Sequence, residues 1–198
     1  FRVRPAGKVK LKDRSRLANQ LRANIRESDD PGLDILPSNL AYRNFDLMFD
    51  RMKKSRRQLG ALLDAVAADY DVAVLDCPPN ITLLAENVFR AADVILVPVI
   101  PTTLSQRTYD QLVEFFSAKK LGRKRLVPFF SMVRKRSVMH RTLMEDLRGR
   151  YPAFLETVIP FSADVEKMGL HRRPVLTYAA ARSSAQAYRA LCSEILEG

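Results

Sequence analysis

Asp71–Pro79 reads DVAVLDCPP, an apolar run that ends on the carboxylate of Asp76 and is followed by Cys77, Pro78 and Pro79. A strand that delivers a carboxylate to a sheet edge can hold, through water, a Mg²⁺ ion bound to nucleotide phosphates. Proline cannot continue a strand ladder, so Pro78 and Pro79 stiffen the turn and aim the carboxylate. The same residues also suit a plainer role, in which Asp76 caps the next helix. On pattern alone both roles stay open. Cys77, with no histidine near it in sequence, reads as a small buried filler rather than a nucleophile.

A carboxylate of this kind works only if a sheet presents it. Strand-like runs occur at Leu33–Pro37, Asp71–Asp76, Asp93–Val99, Arg125–Ser131 and Phe154–Ile159. Several are continuously apolar, as expected of strands covered on both faces. Between them lie helical patterns at Arg56–Ala68, Ile81–Ala92, Thr103–Ala118, Val138–Arg150 and Ser183–Leu196, with Arg14–Arg26 a further, largely polar one. The alternation predicts an α/β fold, a mostly parallel sheet with helices on both faces, in one domain over 1–198. In such sheets ligands sit beyond the carboxyl ends of the strands, so the informative residues follow them: Asp76–Pro79, Pro98–Ser105, Ser131–Arg136 and Pro160–Asp164.

The 198 residues carry a formal net charge of +11. Nine of the basic residues and a single acidic one fall in the basic segment 1–26, with further clusters at Arg51–Arg57, Lys119–Arg125 and Arg134–Arg141. Such a surface attracts polyanions, and sequence-indifferent contact with a nucleic-acid backbone suits it better than base stacking, since few aromatics are interleaved. No apolar run approaches the roughly 20 residues that span a bilayer. Two cysteines, Cys77 and Cys192, make no disulfide framework and suit a reducing cytoplasm. His140 and His171 are too isolated for a metal site.

The block DVAVLDCPPNITLLAENVFRAADVILVPVIPT resembles the core of the ParA/MinD family of deviant Walker-type ATPases. Tyr70-Asp71, Asp76–Pro79, Ala91-Ala92-Asp93 and Pro98 carry the likeness, supported in order by LDILPSN, ETVIP, HRRPV and SSAQAYRALCSEIL, from about Leu33 to the end. The resemblance implies a P-loop NTPase-like fold, ATP and Mg²⁺ as cofactors, and Asp76 as the catalytic carboxylate on the Mg²⁺ side. It places Pro78, Thr103, Ser131, Pro160, Ser162 and Asp164 around the nucleotide, although Ser131-Met132-Val133 stands where relatives often present an asparagine to the base. It places Arg134, Lys135, Arg136, Lys167, Arg172, Arg173 and Arg182 on a DNA-binding face. Residues Thr102 and Thr103 also suit a helix N-cap, and Asp164 the start of a short helix.

The implied function is that of a ParA-like partition ATPase: a homodimer that closes on ATP, coats DNA without sequence preference and answers to a ParB-like centromere-binding protein. It implies a cytoplasmic, nucleoid-associated protein with no membrane contact. One alternative is a MinD-like positioning ATPase, which calls for a basic amphipathic C-terminal helix on lipid; Glu194 and Glu197 argue against that. Another is a non-catalytic interaction module. The seven glycines are scattered, and no Gly-x-x-x-x-Gly-Lys-Ser/Thr loop or second aspartate strand occurs. The expectation is therefore a truncated product of an ATPase parent that binds ATP poorly, with unpaired strand edges and exposed apolar surface.

Overall fold

The computed structural model describes residues 18–19, 21–37, 58–77, 82–121 and 125–197. Most of the basic opening, Pro78, Pro79 and the cluster Arg51–Arg57 lie outside the described residues. The chain divides into two compact units, Phe1–Asp93 and Val94–Gly198.

In the first unit, β1 (Arg26–Glu27) and β2 (Asp34–Ile35) form an antiparallel hairpin, with Arg26 opposite Ile35 and Glu27 opposite Asp34. Its turn runs through Asp29-Asp30-Pro31-Gly32, and Gly32 supplies the left-handed backbone at φ +81°. The Ser28 hydroxyl accepts from the Asp30 amide at 3.1 Å. The helix expected over Arg14–Arg26 is helical at 18–19 and 21–22 and then turns, because Arg26 pairs in the hairpin. α1 (Gln58–Val66) packs on α2 (Leu83–Ala91). Buried Asn87 joins them: its Oδ1 accepts from the Leu59 amide at 3.4 Å while its Nδ2 donates to the Leu83 carbonyl at 2.9 Å. Arg22 grips Asp69 through Nε and Nη2 at 2.8 and 3.0 Å, and Tyr70 donates to Asp34 at 2.7 Å.

The second unit is built on a parallel sheet, β3 (Val94–Val99), β4 (Arg125–Val133) and β5 (Val158–Pro160), in the order β3-β4-β5. Helix α3 (Thr103–Ala118) follows β3, and α4 (Val138–Arg150) follows β4. After β5 come three single turns, α5 (Ala163–Glu166), α6 (Met168–His171) and α7 (Val175–Tyr178), and then α8 (Ser183–Glu197). Helices cover both faces. On one, Val97, Val99, Phe130 and Val133 meet Tyr109 and Val113 of α3 and Met144 and Leu147 of α4. On the other, Val94, Leu96, Val127 and Phe129 meet Ala187, Tyr188, Leu191 and Ile195 of α8, a helical spacing. Neighbours along β3 and β4 therefore go to opposite cores, which is why these strands read as unbroken apolar runs.

Pro128 is fully buried in β4, the middle strand, where a missing N–H is usually costly. Its carbonyl accepts from the Leu155 amide at 2.9 Å, so its backbone groups face the side on which pairing with β5 starts only at Phe130. The absent donor is thus not needed.

The strand expected over Phe154–Ile159 begins later, at Val158. Phe154 stacks on Phe130 with ring centroids 4.4 Å apart, and Leu155 plugs the opposite core. The Glu156 and Thr157 amides then donate to the Glu194 carboxylate of α8 at 2.7 and 2.9 Å. Partial burial acts to raise the Glu194 pKa. The hydrogen bonds from Thr157 and Glu156 and the charge of Arg148 outweigh it and hold the group below its ordinary value of 4.5. A carboxylate with a lowered folded-state pKa contributes stability above its unfolded value, and that contribution fades as pH falls through the folded one. Glu194→Gln is expected to lower stability by about 1 kcal/mol at pH 7. Urea denaturation at pH 7 and at about pH 3 should show the gap closing on acidification.

Candidate functional site

Because β3, β4 and β5 are parallel, their carboxyl ends open on one rim, and the loops there place most of the residues marked out from sequence. β3 leads through Pro101 into α3, whose N-cap is Thr102: its hydroxyl accepts from the Ser105 amide at 3.3 Å. Thr103 is the first helical residue and is exposed. β4 leads through Arg134, Lys135 and Arg136, all exposed, to Ser137, whose hydroxyl caps α4 by accepting from the His140 amide at 3.3 Å. The His140 imidazole folds back, and its Nδ1 accepts from the Arg134 amide at 3.2 Å. Pro160 closes β5, and Ser162 caps α5 by accepting from the Asp164 amide at 3.2 Å.

A one-residue bulge shapes this rim. Phe130 pairs with Val158 and Val133 with Pro160, so three steps along β4 match two along β5. Met132 takes up the extra residue at φ +53°, a left-handed conformation uncommon for a residue other than glycine. The bulge inverts the alternation. Phe130 and Val133 both enter the same core although they are three positions apart, an odd step that would point them to opposite faces in a regular strand. Ser131 and Met132 occupy the slip, half-buried and exposed respectively. Arg134 then emerges over the exposed ring of Phe161, its guanidinium carbon 5.1 Å from the ring centroid. The Phe161 amide donates to the Val133 carbonyl at 3.0 Å and holds the two loops together.

Beyond β5, the Tyr178 hydroxyl donates to the Asp164 carbonyl, and the Asp164 carboxylate lies 3.8 Å from Arg182. Asp164 therefore both opens α5 and tethers the basic segment after it. Lys167, Arg172, Arg173 and Arg182 are all exposed, and Arg172 takes a left-handed backbone at φ +49° at the end of α6. His171 stacks on Tyr178 with centroids 4.4 Å apart. Arg182 is thus paired with Asp164, while the other three cations make no ion pair among the described residues.

Asp76 belongs to the first unit. It lies in the segment 72–77, which has no regular secondary structure, and is exposed, as are Val72 and Val74; the segment makes no ladder among the described residues. The strand expected over Asp71–Asp76 is therefore not formed there. Cys77 is exposed rather than a buried filler. Burial of part of its surface, with the Asp76 carboxylate beside it, pushes the thiol up, away from a nucleophilic thiolate. Pro78 lies outside the described residues. Among those residues no group of three or more His, Cys, Asp or Glu side chains could hold a metal.

Sequence reasoning marked out the stretches holding Met132 and Phe161 without giving either residue a role of its own, and it missed Ser137. Ser137 had a readable signal, a serine directly before a helical pattern. Met132 gave no signal, since no glycine marks the bulge.

The family described as an AAA domain matches residues 10–126. The cell division protein PomZ of Myxococcus xanthus is 29% identical over 177 residues, 87% of this chain and 56% of its own. The chromosome partitioning protein ParA of Caulobacter vibrioides is 23% identical over 84% of this chain and 65% of its own. The chain thus spans less than two thirds of the length of these relatives. Among solved structures, a plasmid partition protein of Borrelia burgdorferi bound to AMPPNP has a TM-score of 0.76 at 20% identity, covering 92% of this chain and 73% of its own. Cobyrinic acid a,c-diamide synthase of Mycobacterium smegmatis, with an ATP analog and magnesium, has a TM-score of 0.65 at 21% identity, over 84% and 75%. At these identities the structures establish the fold.

The bulge predicts an unusual order of tolerance. Met132→Gly should leave stability within about 0.5 kcal/mol of the parent, because glycine adopts positive φ freely. Met132→Val should cost about 1–2 kcal/mol, since a β-branched residue resists that conformation. Urea midpoints of the three proteins decide it, and equal tolerance of valine and glycine would contradict the bulge.

Proposed function

The chain belongs to the ParA/MinD family of deviant Walker-type ATPases, and we propose that it serves as part of a partition ATPase that holds DNA through its sheet rim. The observation that carries this reading is the exposed run Arg134–Arg136 in the loop after β4, with Arg134 over Phe161 of the loop after β5, on a chain from this family; the exposed cations of 167–182 follow that second loop in sequence. Exposed guanidinium and ammonium groups without a nearby acid suit phosphate oxygens. Arg182 is the least available of them, being shared with Asp164.

In this reading ATP and Mg²⁺ are the cofactors, and bound Mg²⁺ would neutralise phosphate charge as the γ-phosphoryl is transferred. Asp76 would hold a water of that ion. Thr103, Ser131, Pro160, Ser162 and Asp164, which lie at or after the ends of strands in the second unit, would contribute to nucleotide binding, and Pro78 keeps its proposed role. The sequence supplies no glycine-rich loop to cradle phosphates, so nucleotide affinity of the chain by itself is expected to be weak. The proposal extends to a homodimer that closes on ATP, a ParB-like centromere-binding partner and a cytoplasmic, nucleoid-associated location. A second reading, positioning of a division machinery, draws support from the likeness to cell division protein PomZ. Its membrane-cycling form fits poorly, because Glu194 pins α8 to the turn before β5 instead of leaving it for lipid. No described helix is long and apolar enough to cross a membrane.

Retention of a non-specific DNA duplex, measured over a range of salt, tests the reading. Affinity should fall steeply with salt. Replacing Arg134, Lys135 and Arg136 together by alanine should reduce the log–log slope by about 2.7, if each meets one phosphate. Retention indifferent to salt, or a slope unchanged in the triple variant, removes the rim from DNA binding.

A further inference from the structure

Arg134 opens the cationic loop after β4, and its backbone is held on both sides. Its carbonyl accepts from the Ser137 amide at 2.9 Å, and its amide donates to Nδ1 of His140 at 3.2 Å. The first bond closes an ordinary four-residue turn. The second reaches six residues along the chain, to a side chain on α4. His140 is only 7% exposed, so bulk water does not compete for that acceptor.

Helix geometry accounts for that reach. Ser137 is the N-cap of α4 and His140 its third helical residue, and side chains in a first turn point back toward the helix start. In a capping box, a Glu or Gln at this place accepts from the amide of the cap residue itself. Here the Ser137 hydroxyl meets the His140 amide, which is the cap's half of that pattern, while the imidazole passes over the cap to Arg134. An accepting Nδ1 carries no proton, so the ring is uncharged in this arrangement. No aspartate or glutamate occurs between 131 and 142. The loop is thus fastened by an acceptor without negative charge. A carboxylate at the same place would offset part of the charge of Arg134, Lys135 and Arg136.

We propose that His140 is the positioning residue of this loop. It orders the Arg134 backbone before a polyanion arrives, so Arg134, Lys135 and Arg136 lose little conformational freedom on meeting phosphates. His140 meets no ligand itself and acts through Arg134. The effect on affinity rests on the DNA reading of the rim, whereas the clamp on the Arg134 amide does not.

The test compares His140→Asn with His140→Leu in the full chain. The two replacements are close in size, but only asparagine carries an acceptor on its side chain. Leucine is the better helix former and suits a buried site better, so urea midpoints should place His140→Leu at or above His140→Asn. Order in the loop should rank the opposite way, which a merely structural role would not produce. By amide exchange without DNA, the Arg134 amide should be protected in the parent and in His140→Asn, and should exchange at least about tenfold faster in His140→Leu. Against a non-specific DNA duplex at fixed salt, His140→Leu should bind about tenfold more weakly than the parent, and His140→Asn should recover most of the loss. The log–log salt slope should not change, because all three cations remain. Equal Arg134 exchange in the two variants would overturn the proposal, as would a His140→Leu chain that holds DNA as tightly as the parent. If the parent itself holds no DNA, the partition reading falls, and the exchange comparison alone decides the clamp.

Discussion

The second unit depends on the alternation of side chains along β4. Val127 and Phe129 serve one core, Phe130 and Val133 the other, and the extra residue at Met132 is what allows both sets to be buried. Moving the register by one residue would send Phe130 toward α8 and expose its partners Tyr109 and Leu147. The same slip determines what happens at the rim. It turns Val133 inward, brings Arg134 out over Phe161, and lets the Val133 carbonyl take the Phe161 amide. Packing and charge presentation are thus set by one local irregularity.

Around that strand, the unit secures its edges with charged side chains. Asp110 accepts from the Tyr151 hydroxyl at 2.7 Å and from Arg150, tying α3 to the end of α4. The hydrogen bond to Asp110 and burial raise the Tyr151 pKa, and burial pushes Tyr109 up to about 12. Both phenols therefore stay neutral in the core wall at ordinary pH, and Tyr109 is packed edge-on against Tyr151 and Phe154. Arg148 donates to the Leu155 and Glu156 carbonyls and covers Phe130. With Glu194 on the Glu156 and Thr157 amides, the turn before β5 has its polar groups met from two helices. At the carboxyl rim, by contrast, Arg134, Lys135 and Arg136 make no ion pair among the described residues.

The two helices beside the rim were legible to the residue. Thr103–Ala118 and Val138–Arg150 appear where the sequence puts them, because Thr102 and Ser137 cap their starts and the apolar spacing is clear. Strands were legible only as far as pairing is local. Asp93–Val99 and Arg125–Ser131 were readable because both faces are buried. Asp71–Asp76 has equal apolar content but no ladder among the described residues, and composition cannot reveal whether a neighbour is there to pair. Phe154 and Leu155 looked like strand yet act as plugs, because Glu194 takes the amides that follow, a contact 37 or 38 residues away. Of the site, the positions after the strands could be read in advance. The stacking of Arg134 on Phe161 and the tether of Asp164 to Arg182 depend on side-chain directions that spacing does not fix.

The most direct test of the central claim, that the carboxyl rim of β3–β4–β5 is the polyanion-binding surface, is hydrogen–deuterium exchange of the chain with and without a non-specific DNA duplex. The account predicts added protection over 131–137 and 161–173, with α8 over 183–197 unchanged. Protection concentrated on α8 or on the β1–β2 hairpin, with the rim exchanging as before, would contradict it.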